Sequence, residues 1–401
     1  MRNKLTYLWE DSRVRSNFVT GVSLHGHTNR SRESLFFIND FMKRNAFLRL
    51  AMKHLERRAL RAASIKPDLS NAYWTPPLPP LEAFTVERKQ IEEGLGLNSL
   101  ISLTDHDSIE APLLLRVVPE ARRIPVSLEW SIPFESTVFH LGVHNLPTAE
   151  AEGWVRQMNA LTKRPNPREL WEILAALAQI PQVLLVFNHP LWDLPGIGKM
   201  EHRSAVRNLL QHANPFLHAF ELGGLRSWRE NQDVIELAKA YARPVIAGGD
   251  RHGCEPSALL NLTNAGSFSE FVEEVRMKHS HVLAMPQYAD STPLRIFHTV
   301  LDVIRNYPEY PVGSQRWDER IFHPDANGGP DRPISTLWKA PPKFVERILS
   351  SIRLLENAAV QRAMERVFRR GAVTEFPREI VEEMLPAEAV PGDAVSSEAL
   401  P

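Results

Sequence analysis

The sequence predicts an α/β fold of the (β/α)-barrel type, and two observations carry that prediction. Short apolar runs alternate with helical stretches from about residue 99 to residue 286. Nearly every run closes on a histidine, aspartate or glutamate. Alternation of this kind implies parallel strands joined by crossover helices. Barrels built that way carry their chemistry at the C-terminal strand ends, on one face.

Phe18–Leu24 reads as a first strand that delivers His25 and His27. Residues two apart in an extended segment share a side, so both imidazoles can face one point beyond the strand. From Leu35 to about Ile65, Phe37, Phe41, Leu48, Leu55 and Ala62 form an apolar helical stripe. Its other face is basic, with Lys43, Arg44, Arg49, Lys53, Arg57, Arg58 and Arg61 against Glu56 alone. A solvated face on a packed helix accounts for it, and a surface for anionic substrate or nucleic acid is the sharper reading. Trp74–Leu81 is a proline-rich connector, so about 35–84 reads as an insertion. A short helix over Thr85–Gly94 closes it.

Ser99–Leu103 then ends in Thr104-Asp105-His106-Asp107, and Ile124–Leu128 ends at Glu129. Val138–Val143 contains His140, with His144 next. Val183–Phe187 ends in Asn188-His189-Pro190, Leu217–Phe220 at Glu221, and Pro244–Ala247 in Gly248-Gly249-Asp250-Arg251-His252. Helices fall between the later runs. Beyond about residue 290 the predicted order is a helix over Thr292–Asn306, an irregular stretch over Tyr307–Thr336, and a long arginine-rich helix over Pro342–Arg370. Leu385–Pro401 reads as a disordered tail. The predicted division is a barrel over 1–290, a helical extension over 291–384, and the tail.

Composition narrows the class. With 401 residues, 43% hydrophobic and 24% charged, the chain is that of a soluble globular protein. A formal net charge of −1 gives no global attraction to nucleic acid or an anionic membrane. The single cysteine, Cys254, excludes an internal disulfide framework, fits a reducing compartment, and is read as packing. No apolar signal core or membrane-length run is present, so the expected location is cytoplasmic.

The candidate ligands are His25, His27, His106, Glu129, His140, His189, Asp250 and His252. Imidazole and carboxylate without thiolate suit zinc, manganese or iron in a reactive site, not a cysteine-rich structural one. Eight ligands exceed one tetrahedral ion and suit two or three, bridged by Glu129 and a solvent hydroxide. Such a site clamps a phosphoryl group and activates water at neutral pH. Asp105 and Asp107 either orient His106 or, for Asp107, cap the next helix. Glu221, Arg226, Arg229, Arg251 and His144 are candidates for substrate contact, with surface carboxylates and salt bridges as the plainer alternative.

His25-Gly-His27-Thr, Thr104-Asp105-His106-Asp107, Leu128-Glu129-Trp-Ser131 with His140-Leu-Gly142, Asn188-His189-Pro190 and Gly249-Asp250-Arg-His252 form an ordered series. This series resembles the polymerase and histidinol phosphatase (PHP) family over about Phe18–Pro286. The resemblance implies a distorted (β/α)7 TIM-like barrel with a helical insertion and a helical C-terminal extension. It implies ligand roles for the matching histidine, glutamate and aspartate positions, and a further ligand some residues past His27, where Glu33 stands. Two departures are visible: Ser23 replaces the aspartate that usually opens the first motif, and Arg32 comes after Ser31 where the family often has aspartate.

The resemblance thus implies a metal-dependent phosphoesterase holding two or three divalent ions, with attack by a metal-bridging hydroxide. Glu129, Asp250 and His252 stand at its catalytic centre, and small phosphomonoesters or nucleotide-type substrates are expected. A nuclease, supported by the basic helix, a non-catalytic metal-stabilised scaffold, and an amide or C–O hydrolase are the alternatives. Nucleic acid is a less favoured partner, no membrane partner is expected, and the oligomeric state is not predicted.

Overall fold

Two five-stranded sheets position everything else in this computed structural model. It describes residues 2–8, 11–35, 71–324 and 330–337, with five more between 343 and 350. The first sheet contains β1 (Arg2–Tyr7), β2 (Thr20–Leu24) and β5 (Asn98–Ser102), with β11 (Leu259–Thr263) and β12 (His279–Ala284), in the order β1-β12-β11-β2-β5. The second contains β6 (Val126–Phe134), β7 (Thr137–Leu146), β8 (Leu184–Asn188), β9 (Ala219–Gly223) and β10 (Val245–Gly248), in the order β10-β9-β8-β7-β6. A four-stranded sheet adds β3 (Glu33–Ser34), β4 (Tyr73–Trp74), β13 (Ile321–His323) and β14 (Arg332–Pro333), in the order β14-β13-β4-β3.

The two large sheets are joined at their ends by single bridges, Gly26 to Arg251 and His106 to Glu129. Among the described residues, continuous ladders do not close them into a barrel. Parallel pairing holds for β2 with β5 and for β8, β9 and β10, but β6–β7 and β7–β8 are antiparallel. The reason is local. Phe134 pairs with Thr137, so only Glu135 and Ser136 form the turn, with Glu135 in the left-handed region at φ 51°. A parallel crossover needs about a dozen residues, and a two-residue loop permits only a hairpin. β6 therefore runs on past residue 128, and Glu129 lies within the strand, not at its end.

Helices cover the sheets through their apolar stripes. In chain order they are α1 (Pro80–Lys89), α2 (Glu110–Leu115), α3 (Ala151–Lys163), α4 (Pro167–Gln179), α5 (Lys199–Ala213), α6 (Trp228–Ala240), α7 (Phe268–Arg276) and α8 (Thr292–Ile304). Leu170, Leu174 and Leu177 of α4 and Val206, Leu209 and Leu210 of α5 are buried against Phe187 and Phe220 of the second sheet's strands in one core. Each buried leucine contributes about 1.5–3 kcal/mol. Asn166, Ser227 and Ser267 cap α4, α6 and α7 by accepting from the first-turn amides, which explains where these helices begin. α1 begins at Pro80, five residues before the predicted start, because proline is tolerated in a helix's first turn. Val22, Leu24, Val186, Ala219 and Ile246 fill the space between the sheets with α7.

The stretch after α8, predicted to be irregular, contributes β13 and β14. β13 pairs with β14 and with β4, which lies inside the predicted insertion. The predicted basic helix from Lys43 to Arg61, most of the predicted helix over 342–370, and the tail over 385–401 lie outside the described residues. No helix among the described residues is long and apolar enough to cross a membrane.

His218, just before β9, is held neutral at the end of the second sheet away from the strand C-termini. Leu185 N–H donates to its Nδ1 at 2.9 Å, and Arg276 Nη2 lies 2.9 Å from its Nε2. Burial, with Arg276 adding repulsion, pulls its pKa down to about 3. An unfolded chain takes up this proton near pH 6.5, so the contribution is full above that pH and declines as pH falls toward 3. The slope is about 1.4 kcal/mol per pH unit. Urea unfolding of wild type and His218→Gln from pH 7.5 to 5 checks this: the variant's loss of stability is expected to be shallower, and equal slopes would contradict the assignment.

Candidate metal centre

The nine predicted ligands converge where the two large sheets meet. β2 ends at Leu24, and the chain continues as an extended segment whose backbone exchanges hydrogen bonds with the segment after β10. His27 N–H donates to Arg251 O at 2.9 Å, and Arg251 N–H to His25 O at 3.3 Å. This pairing places His25 and His27 beside Asp250 and His252. β8 delivers Asn188 and His189, and the β6–β7 hairpin delivers Glu129 and His140, with His140 opposite Asn188 in register. His25, His189 and Asp250 all take positive φ, at 59°, 26° and 48°. Non-glycine residues in such conformations cost of order 1–3 kcal/mol each and persist only where surrounding contacts impose them.

Glu129 is the shared residue. Its Oε1 lies 3.0 Å from His25 Nε2, 3.1 Å from His189 Nε2 and 3.5 Å from His140 Nδ1. Its Oε2 lies 3.3 Å from both His27 Nε2 and His106 Nδ1. Asp250 Oδ1 approaches His25 Nε2 at 3.6 Å and His27 Nε2 at 3.8 Å. Glu33 Oε2 lies 3.0 Å from His252 Nε2 and 3.2 Å from His106 Nε2, while its Oε1 is 3.4 Å from His27 Nδ1. The ligand atoms form four overlapping sets: His27-Glu33-His106-His252, His25-His27-Glu129, His25-His189-Asp250 and His106-Glu129-His140.

These spacings suit metal ions. Ligand atoms about 2.1 Å from an ion sit about 3.4 Å apart at tetrahedral corners. His25 Nε2, His27 Nε2, His106 Nδ1 and Glu129 Oε2 are buried without a hydrogen-bond partner, although each faces another ligand atom. Buried polar atoms left unpaired are costly, and lone pairs that converge without hydrogen-bonding one another are what a cation satisfies. The site is therefore able to hold metal ions.

The other ring nitrogens agree with the direction of those lone pairs. His25 Nδ1–H donates to Glu221 Oε2 at 2.7 Å, and His252 Nδ1–H to Asp250 O at 2.8 Å. Each bond fixes a tautomer whose Nε2 lone pair faces the cluster. His27 Nδ1 meets Ser31 Oγ at 3.2 Å, and Ser31 Oγ donates to Glu33 Oε1 at 2.5 Å. Electrostatics divide the imidazoles. Burial acts against charge on all of them, but Glu129 and Glu221 hold His25 well above its usual pKa, and Glu33 and Glu129 push His106 up to about 10. Burial wins at His27, pulled down to about 4, and at His140. Burial likewise opposes ionisation of Glu129, yet the charges of His25, His140 and His106 hold it well below the usual carboxylate range.

Several sequence readings change here. Glu221 is buried on His25 and orients that ring. Gly248 makes room for it, since a Cβ there would lie 2.5 Å from Glu221 Oε1. His144, four residues past His140, is buried with Nδ1 2.8 Å from Ser102 Oγ. Arg251 is buried and committed: Nε pairs with Glu87 at 2.9 Å, Nη2 donates to His27 O and Nη1 to Gly253 O. Asp107 is not a helix cap; it accepts from Ser131 N–H at 2.8 Å, while Asp105 holds Thr28 through N–H and Oγ1 instead of orienting His106. Arg226 does stand at the site. Its Nη2 pairs with Asp250 Oδ2 at 2.8 Å, and its guanidinium lies 3.9 Å over the Trp192 ring. Arg229 lines a surface groove with Asp193, Arg203 and Asp233. Cys254 packs beside Tyr307, as expected.

Sequence reasoning missed Asn188, whose Nδ2 donates to Glu129 Oε1 at 2.9 Å, and Glu87, which joins Arg251, Ser23 and Ser257. Asn188 had a signal, its place beside His189 at a strand end. Glu87, on α1, had none, because its partners are distant in sequence.

No family model matches the chain, and no curated protein matches it. Among solved structures it is similar to PsfC from Pseudomonas syringae, at 15% identity and TM-score 0.38 over 70% of this chain and 96% of that one. An amidohydrolase from Chromobacterium violaceum, with bound sulfate and no metal, matches at 13% and 0.35 over 63% and 96%. A candidate metal-dependent phosphoesterase from Bifidobacterium adolescentis matches at 13% and 0.29 over 49% and 90%. At such distances a functional assignment rests on the site's own residues.

Glu221 supplies the outer partner of a ligand, so Glu221→Gln is expected to weaken divalent-ion affinity about 10–100-fold while the protein stays folded. Titration calorimetry with manganese or zinc checks it, and an unchanged affinity would remove Glu221 from the site.

Proposed function

We propose that the protein is a metal-dependent hydrolase that cleaves phosphoesters of small, phosphorylated or nucleotide-type substrates. The observation that carries this reading is Glu129, whose two oxygens face two separate groups of ligand nitrogens inside a buried, thiolate-free cluster. We read the seven strands β2 and β5–β10, linked through the two end bridges, as the distorted (β/α)7 TIM-like barrel that the sequence resembles. Its ligands would be His25, His27, Glu33, His106, Glu129, His140, His189, Asp250 and His252, holding two or three ions of manganese, zinc or iron. Such ions supply Lewis acidity and an activated water nucleophile.

The chain's own residues then have separable tasks. Glu129 spans the ligand groups, and Asp250 and His252 act as ligands, not as bases. Arg226, partly exposed beside Asp250, offers a guanidinium for phosphate oxygens. The approach is narrow: His106 and His252 are the most exposed ligand side chains, at 13% each. Trp74 and Trp192 stand 5.7 and 5.0 Å from the His252 and His189 rings. Aromatic walls around a nearly closed centre favour a small substrate over a polynucleotide. The single cysteine suits a reducing, cytoplasmic setting.

Manganese- or zinc-loaded protein is expected to turn over members of a phosphomonoester and nucleotide panel. Glu129→Gln should lose at least about 100-fold in kcat/KM, or about 2.7 kcal/mol, with folding intact by circular dichroism. Turnover confined to single-stranded DNA would establish the nuclease reading, and turnover confined to amides or lactones the C–N or C–O hydrolase. Stoichiometric metal with no turnover, and a Glu129→Gln variant that only loses thermal stability, would make the protein a scaffold.

A further inference from the structure

We infer that residues 305–324 and 330–333, here the C-terminal segment, are part of the metal centre, because they hold Glu33 in place and so set occupancy of the His27-Glu33-His106-His252 position. The inference rests on the metal reading above and adds a control that no ligand residue reveals.

Glu33 differs from the other ligands in its support. Those on β6, β7 and the extensions of β2, β5, β8 and β10 belong to the two large sheets. Glu33 lies on β3, which among the described residues ladders only with β4, Glu33 opposite Trp74 and Ser34 opposite Tyr73. β4 is in turn held by β13, Trp74 opposite Ile321 and Tyr73 opposite Phe322. Ser31 Oγ, which accepts from His106 N–H, holds the carboxylate of Glu33, while the backbone of Glu33 is held through two strands of two or three residues, and the second belongs to the C-terminal segment.

Side chains repeat the backbone connection. Tyr73 stacks on Phe322 with ring centroids 5.2 Å apart and planes 12° apart. Its hydroxyl donates to Asp331 at 3.0 Å, and Asp331 also pairs with Arg32 at 3.0 Å. Arg32, the neighbour of Glu33, lies 4.9 Å over the Tyr73 ring. Thr75 N–H donates to Arg320 O at 2.8 Å, and Asn29 Nδ2 reaches Ser314 Oγ at 3.3 Å. The segment is itself anchored by Arg320, a buried guanidinium that donates to the carbonyls of Val303, Arg305 and Ser314. Contacts therefore run from the C-terminal segment to both sides of Glu33, and Trp74 covers His252 from the same sheet.

The consequence is selective. Loosening this small sheet withdraws one carboxylate from His106 and His252, while the ligand sets built on Glu129 and Asp250 keep their own strands. A phosphate-sized substrate still finds those sets. The Glu33 position is the one the segment adds.

The test uses the full-length chain in three forms: wild type, Glu33→Gln, and Phe322→Ala combined with Asp331→Ala. Each is loaded with manganese, desalted, and read for metal per chain by plasma mass spectrometry, with manganese affinity by calorimetry. Both variants are expected to hold one ion fewer than wild type, or to bind their last ion at least tenfold more weakly, and to keep the others. Phe322→Tyr, which retains the stacked ring, should restore the wild-type count when Asp331 is intact. The inference is overturned if the double variant keeps the wild-type count and affinities while Glu33→Gln does not, or if Glu33→Gln itself changes nothing. Loss of all ions together in the folded double variant also overturns it. If the double variant fails to fold, Tyr73→Phe with Arg32→Ala replaces it under the same criteria. Wild type that binds no metal would refute the metal reading itself, a distinct result.

Discussion

A carboxylate buried among imidazoles is the constraint around which this molecule is arranged. Glu129 is almost fully enclosed and lies within 3.5 Å of nitrogens from five histidines. Neither an isolated buried carboxylate nor converging imidazole lone pairs is stable alone. Together they still leave four buried polar atoms without hydrogen bonds. Glu33, Asp250 and Glu221 add three more carboxylates nearby; of the guanidiniums, Arg226 pairs with Asp250 and Arg251 with Glu87. Divalent cations balance such an excess and satisfy the lone pairs at once. Protons do so only partly, which is why some imidazoles are pushed toward protonation and others away from it.

The fold supplies the rigidity this arrangement demands. Among the described residues the two backbone bridges between the large sheets lie beside the cluster, so the site is also part of their join. His25, His189 and Asp250 adopt left-handed backbone conformations there, held by neighbours across the join. The cost is local, and the stabilisation comes from elsewhere: continuous apolar strands, helices capped at serine or asparagine, and Arg276 tying α7 to the carbonyls after α4. Stability and chemistry occupy opposite ends of the strands, the division expected where strand ends carry a site.

This division explains which features are legible in the sequence. A polar residue directly after an apolar run is visible as a pattern, and His25, His27, His106, His189, Asp250 and His252 all stand out that way. Glu129 and His140 stand out too, although for a partly mistaken reason: they lie inside a hairpin, and its two-residue turn at Glu135–Ser136 contradicts a parallel assignment. Roles are less legible than positions. In the sequence Arg251 and Glu221 follow apolar runs as substrate-binding residues would, yet Glu221 lies within β9 and each is enclosed by a partner far away in sequence, Glu87 and His25. The strands after α8 are unreadable because two- and three-residue strands have no period to detect.

The two departures from the resembling family acquire a physical account in the same terms. Ser23 stands where the first motif of that family has a carboxylate; its hydroxyl donates to Glu87 Oε2 at 2.9 Å, and the same carboxylate pairs with Arg251 and accepts from Ser257. The negative charge of Glu87, on α1, neutralises the guanidinium that holds His27's carbonyl. Arg32 removes a second carboxylate, yet Glu33 alongside it reaches His106 and His252. Arg32 instead turns outward to Asp331 and Tyr73. A decaying site would show ligands lost and their outer partners stranded. Here Glu87 connects through Arg251 to the carbonyl of His27, and Glu33 faces His106 and His252, so these candidate ligands keep their outer partners.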